Sequence, residues 1–199
     1  NHLIDLENHF TTRIINHSDH QINDHNYGLL ALKGDTKRSL NFDIVSDNQN
    51  SLLVKIKVCH GITPGGLIIN ISGENSDFGE FVIPNTDNTY KQARENNDDL
   101  YLVISTDPYS RLPFGEADPS EYPLRMPYVI PEYKLHLIPT KQVGSRNINP
   151  SMLIISKIAV KNNAPVIVDN YIPPCESIDS HKKLQEFYEY IYKNISTLE

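Results

Sequence analysis

Between residues 26 and 168 apolar side chains recur at every second position, in short runs broken by turn residues about every 8–12 positions. Leu40-Asn-Phe42-Asp-Ile44, Val54-Lys-Ile56-Lys-Val58 and Tyr133-Lys-Leu135-His-Leu137 are the clearest runs. A period of two places alternate side chains on opposite faces of a strand, so each run has one apolar face and one wet face. Leu67-Ile-Ile69-Asn-Ile71, Phe81-Val-Ile83, Leu100 to Ser105, Leu153 to Val160 and Val166 to Val168 add further strands. Eight or nine strands at this spacing predict a mainly β chain, a β-sandwich or barrel rather than βαβ units. No repeat of 20–50 residues is present, which excludes a solenoid.

The turns carry their own chemistry. Gly34-Asp35, Asp47-Asn-Gln-Asn50 and Lys161-Asn-Asn-Ala164 read as turns, the last as a hairpin. In Gly61-Ile-Thr-Pro64-Gly65-Gly66, proline then glycine predicts a type II turn joining two strands. Residues 72–99 are polar and weakly patterned around Phe81-Val-Ile83. Residues 107–131 contain six prolines, which excludes helix and central strand and predicts a long surface loop. Two readings of that loop stay open. The simpler is a lid packed on its own domain. The other is a protein-binding surface made by Tyr109, Leu112, Phe114, Tyr122, Met126 and Tyr128, because interfaces enrich aromatic residues and methionine.

Helices are expected at both ends. Leu3, Leu6, Phe10 and Ile14 form one stripe at helical spacing, an amphipathic helix lying on something apolar, and residues 17–25 lose the pattern. At the other end, Ile172-Pro173-Pro174-Cys175 forms a joint. Neither proline can donate to a ladder, and the residue before a proline is pushed extended, so a strand ends there and the chain leaves stiffly. Ser180 then reads as the cap of a helix over Lys182 to Leu198, with Leu184, Phe187, Tyr188, Ile191, Ile195 and Leu198 as a wide stripe that needs a partner. The division expected is 1–25, an N-terminal helix and connection; 26–175, a β-sandwich; and 176–199, the start of a truncated helical stem. Residue 1 is Asn, which points to a segment excised from a longer protein.

The composition narrows the function. With 18 basic and 25 acidic residues the net charge is −7, and no basic stripe exists for nucleic acid. No run of 18 apolar residues exists for membrane insertion. Cys59 and Cys175 read as separate reduced thiols. Five histidines fall in the first 25 residues, and Asp5 and His9 share a helical face, but zinc-ligand spacing is missing and the reading is a solvated segment. There is no G-x-S-x-G turn, no phosphate-cradling loop, and Cys59 and His60 point to opposite faces of a strand. Asp98-Asp99 and Glu74 with Asp77 read as solvated loop carboxylates. The expectation is a protein without catalysis, metal or cofactor.

Several stretches, in order, resemble the N-terminal domain of the TssK family, baseplate proteins of bacterial type VI secretion systems. They are His9-Phe10 within a helix, Tyr27-Gly28-Leu29-Leu30, the Gly61-Ile-Thr-Pro64-Gly65-Gly66 turn, and Tyr171-Ile172-Pro173-Pro174-Cys175 before a helix. Residues 107–131 match nothing in that pattern, and the chain is richer in Asn, Ile and Lys than the family. The resemblance implies a β-sandwich shell domain similar to the shoulder of tailed-phage receptor-binding proteins. It further implies a homotrimer, docking of TssF/TssG-like wedge subunits, and membrane-complex contacts through a C-terminal domain outside this chain. The place implied is cytoplasmic, at a baseplate docked on the inner membrane, with no enzyme activity and no cofactor. The alternatives are a phage-type receptor- or carbohydrate-binding sandwich that uses the Tyr-rich loop, and a hydrolase with a dispersed site.

Overall fold

The computed structural model describes residues 2–23, 25–31, 38–47, 49–72, 78–120, 122–143, 148–161 and 164–196. The predicted features at Gly34-Asp35, Glu74 with Asp77, Asn162-Asn163 and Leu198 lie outside these residues. Helix α1 (His2–Asp19) precedes β1 (Gly28–Leu29), β2 (Leu40–Ser46), β3 (Leu52–Ile62), β4 (Ile68–Ile71) and β5 (Glu80–Ile83). Then follow α2 (Asn88–Asn96), β6 (Leu100–Phe114), β7 (Tyr128–Pro139), β8 (Met152–Lys161), β9 (Ala164–Ile167) and α3 (Lys182–Ser196). The chain is mainly β, and its strands form two antiparallel sheets, as the period-two runs require.

The first sheet is organised on β3, whose 11 residues are long enough to take two strands on each side. One side holds β1, with Gly28 opposite Ile62 and Leu29 opposite Gly61, and then β2. The other side holds β4 and β5. The second sheet runs β7-β6-β8-β9. The facing sides bury Leu52, Val54, Ile56, Ile69 and Ile71 against Leu100, Leu102, Ile104, Leu153, Ile155 and Ile158 in one core.

The predicted alternation Val54, Ile56, Val58 holds only for its first two residues. Asn41 pairs with Val58 but Phe42 with Ile56, so Lys57 is an extra residue in β3. Such a bulge reverses the phase. Beyond it Cys59, not Val58, enters the core.

Three other expectations change. The β3–β4 turn is closed by Gly66 N–H to Thr63 C=O at 2.9 Å, but the left-handed residue is Gly66, with φ +75°, not Gly65. A type II turn needs that conformation at Gly65; the observed pattern is a type I turn followed by a left-handed glycine. Residues 107–131 are not all loop. Residues 107–114 prolong β6 and 128–131 begin β7, paired from Phe114 opposite Tyr128 to Arg111 opposite Pro131, with an irregularity between Asp107 and Arg111. The last pair of β6 with β8 is Ser105–Met152, so this extension is a two-stranded ribbon. Each strand of a ribbon has one open edge, which tolerates Pro113 and Pro131, and Pro108 falls in the irregular stretch. Third, α2 forms within the stretch read as unpatterned. Asp87 caps it by accepting the Tyr90 N–H at 2.8 Å, and left-handed Asn97 ends it. It packs on β7 and β8 and buries only Tyr90 and Ala93, too few residues to create a periodic stripe.

Candidate interaction surfaces

The proline joint does not end a strand and leave. β9 stops at Ile167, a turn closes with Tyr171 N–H on Val168 C=O, and the next residues fold back onto β1. Leu29 N–H donates to Pro174 C=O at 2.8 Å, and Glu176 N–H donates to Leu29 C=O at 3.0 Å. Leu29 and Cys175 thereby form a parallel bridge on the edge of β1 that β3 leaves free. Pro173 is buried, Pro174 and Cys175 half-buried, and Ile172 is more exposed. The residue that permits this is Gly28. Its φ is +127°, and a Cβ there would lie 2.2 Å from the carbonyl carbon and oxygen of Pro174.

Gly66 plays the same part for α1. A Cβ on it would lie 2.8 Å from Cβ of Ser18 and 3.0 Å from the Asp19 nitrogen. The helix is also tied to the ribbon, where the Thr12 hydroxyl lies 2.8 Å from that of Tyr109. The Arg111 guanidinium donates to Glu7 at 2.8 Å and to Asn8 at 2.9 Å. Thus α1 meets the body with polar residues. Leu3, Leu6, Phe10 and Ile14 face outward, at 52–75% exposure, instead of lying on this domain.

Helix α3 is freer still. His181, not Ser180, starts it: the His181 carbonyl accepts from Leu184 and Gln185, and its Nδ1 accepts the Lys183 N–H. Ser180 instead ends a short 3-10 turn, Ile178–Ser180, in a reciprocal capping box with Ser177. The Lys183 ammonium holds Asp169 and Asn170. No α3 residue is buried, and Phe187, Tyr188, Ile191 and Ile195 stand exposed. The partner its stripe needs is not this domain.

The six predicted interface residues divide. Tyr122, Met126 and Tyr128 are exposed near the ribbon tip, Tyr122 completely. Phe114 is half-buried, packed edge-to-face on Phe78 at 5.8 Å and beside Tyr128 at 6.5 Å, and so supports the tip. Leu112 is half-buried opposite Ile130. Tyr109 is exposed too, and its hydroxyl meets Thr12 of α1. Leu124 and Val129 belong to the exposed set as well, and sequence reasoning overlooked both. Arg111, Glu7 and Thr12, which hold α1 to the ribbon, left no signal in the sequence, because their partners are about 100 residues away.

Among the described residues one Ser–His pair lies in reach. The Ser105 hydroxyl lies 2.8 Å from His136 Nε2 across β6 and β7. Burial, reinforced by the Lys134 ammonium, lowers the His136 pKa. Cys59 is fully buried, and desolvation pushes its thiol up to about 12; the Cys175 thiol is pushed up to about 11 by the same cause. Both thiols are free, as expected. Among the described residues no three His, Cys, Asp or Glu side chains converge as metal ligands, and no helix is long and apolar enough to cross a membrane.

No protein-family profile matches the chain, and no curated protein matches it by sequence. Two solved structures share its fold. A crystal structure of TssK superposes with a TM-score of 0.53 at 14% identity, covering 93% of this chain and 41% of that one. TssK from T6SS EAEC in complex with nanobody nb18 gives 0.50 at 14% identity, covering 90% and 58%. The chain spans about half the length of these proteins. Over nearly its whole length, this chain has the fold of part of TssK.

Proposed function

We propose that this chain is the protein-docking shell of a type VI secretion baseplate component of the TssK kind. The observation that carries the reading is the pair of apolar helix stripes left uncovered on a closed sandwich whose fold is that of TssK. A sandwich that satisfies its own core leaves such stripes exposed only to meet something else. In this reading residues 26–175 are the shell, residues 176–199 begin a stem, and the α3 stripe is where three copies of the chain meet. The ribbon tip, with Tyr122, Leu124, Met126 and Tyr128, docks the wedge subunits, homologues of TssF and TssG. The chain works without catalysis or cofactor, in the cytoplasm, and membrane-complex contacts belong to a further domain of the whole protein.

Co-purification of the full-length protein with TssF/TssG homologues, together with its mass by light scattering, tests the reading. A trimer that retains the wedge subunits is expected. A monomer that binds neither subunit overturns it. The completely exposed Tyr122 also suits a sugar-stacking surface, the receptor-binding alternative. Glycan-array binding lost on Tyr122→Ala would favour that alternative over the baseplate reading.

A further inference from the structure

A cleft of about 520 Å³ opens where β8 begins, between the body of the sandwich and the second half of α1. Ser105, Thr106, Asp107, Pro108 and Tyr109 all line it. A strand seen face-on offers alternate residues, so five in succession place the cleft around the open edge of β6, and Glu132 and Lys134 of β7 extend it onto the face that Ser105 and Asp107 share. That edge is covered by β8 up to the Ser105–Met152 pair and by a 3.3 Å bond from Thr106 N–H to Ser151 C=O. There the chain before β8 turns off, with Met152 N–H bonded to Asn149 C=O. Among the described residues no strand continues along β6 on this side.

The cleft is short of donors. Pro108 has no N–H, and the Tyr109 N–H is taken by the Asp107 carboxylate at 2.9 Å. Asp107 and Glu132 line the cleft as cross-strand partners; among the described lining residues Lys134 is the one cation, paired with Glu132 at 3.2 Å, and the Ser110 hydroxyl donates to the same carboxylate at 2.8 Å. Thr106, also lining it, is 5% exposed, and its hydroxyl has no hydrogen-bond partner. By alternation its side chain lies on the inner face with Ile104, opposite Tyr133, so the cleft meets Thr106 at its backbone. Ile15, Leu67 and Pro150 supply apolar walls.

We propose that this cleft binds an extended segment of a partner polypeptide carrying a basic side chain, which continues the second sheet from the place where β8 begins. The segment pairs with the β6 edge by its backbone, its N–H groups meet the carbonyls of that edge, and an arginine or lysine reaches Asp107 and Glu132. Five residues of β6 span roughly 16 Å, so the occupant is a strand of four or five residues. Arginine suits the site better than lysine, because its five donors form a planar fork that matches carboxylates.

The test is an amide NMR titration of the isotope-labelled 199-residue chain with the peptide acetyl-TVRVT-amide, and with acetyl-TVEVT-amide as comparison. Saturable shifts are expected at the amides of Ser105, Thr106, Asp107, Tyr109 and Met152 with the arginine peptide. Binding should weaken about tenfold or more for the glutamate peptide and for the Asp107→Asn/Glu132→Gln double variant, the worth of one charge-assisted hydrogen bond. Unchanged shifts at Leu102 and Ile155 report that the variant keeps its fold. Equal binding of both peptides, shifts confined to other regions, or no binding up to millimolar peptide overturns the proposal. So do shifts of the same amides with protein concentration alone, which would make a second copy the occupant. No baseplate subunit enters the titration, so its outcome is separate from that of the co-purification.

Discussion

Gly28→Ala tests the joint most directly. A Cβ at φ +127° costs about 1–3 kcal/mol in backbone strain alone. It would also lie 2.2 Å from Pro174 backbone atoms, which no rotamer change relieves. The exit segment must then lift off β1, losing the Leu29–Pro174 and Glu176–Leu29 hydrogen bonds. At about 0.5–1.5 kcal/mol net for each bond, the total loss is about 2–6 kcal/mol. For a chain of this size that is a fall in melting temperature of about 5–20 °C. The assay is thermal melting by circular dichroism, joined to hydrogen exchange of single amides. Leu29 and Glu176 should lose protection in the variant while Val54 and Ile56, in the core of β3, keep theirs. A melting temperature within about 2 °C of wild type, with Leu29 and Glu176 still protected, would refute the reasoning, because it would mean that the segment is not seated against Gly28.

Three further outcomes are expected. Leu102→Ala, at a fully buried position on β6, should cost about 2–5 kcal/mol in chemical denaturation, whereas Tyr122→Ala should stay within about 0.5 kcal/mol and yet abolish partner docking. His60, His136 and His181 all have pKa values lowered from 6.5 by burial. The folded chain therefore binds these protons more weakly than the unfolded one. The stability involved is complete above pH 6.5 and is lost as pH falls from there through the folded values. The melting temperature should drop between pH 7.5 and 5.5, and drop less in His136→Gln; a flat or rising profile toward acid would contradict this. Thiols held near 12 and 11 are protonated at pH 8. Iodoacetamide should therefore label half-buried Cys175 slowly and Cys59 only in denaturant, read by mass spectrometry, since the thiolate is the nucleophile.

The two-sheet architecture was legible because period-two patterning reports which face of a strand is dry, and that was enough to place the runs Leu40 to Ile44, Val54 to Val58 and Leu100 to Ser105 within β2, β3 and β6. What escaped was decided by pairing. Proline content reads the same in a loop and in a two-stranded ribbon, because both lack the second neighbour that a proline would fail to bond. Only the register of Arg111 to Phe114 against Tyr128 to Pro131 separates them. The bulge at Lys57 is likewise a property of two strands, invisible in either one. Helix α2 is the exception. Asp87 ahead of it and Asn97 behind it are cap residues that a search for termini, rather than for a stripe, would have found. Composition picked out the aromatic residues of this stretch but not their places: Phe114 packs on Phe78 and the Tyr109 hydroxyl meets Thr12, contacts that only the fold reveals.

The stretches that carry the resemblance to TssK turn out to be one physical object. Gly28 sits opposite Ile62 and beneath Pro174, Leu29 is bridged to Cys175 and paired with Gly61, and Gly66 lies against the end of the helix that contains His9-Phe10. Tyr171 packs against Tyr101 with ring centroids 5.6 Å apart and the rings tilted. Segments from residues 18, 28, 61–66 and 174 therefore meet at one end of the sandwich, and they meet largely backbone to backbone. Side chains in a core exchange volume with their neighbours, so a core tolerates wide substitution at constant fold. A backbone approach closed by a missing Cβ has no such freedom, since nothing elsewhere in the chain can make room for the atom. Positions closed by such an approach are therefore constrained more tightly than the core strands between them. The directions of α1 and α3, whose apolar stripes are exposed, likewise depend on these glycine and proline contacts, together with the Arg111 and Tyr109 ties to α1, rather than on the hydrophobic core.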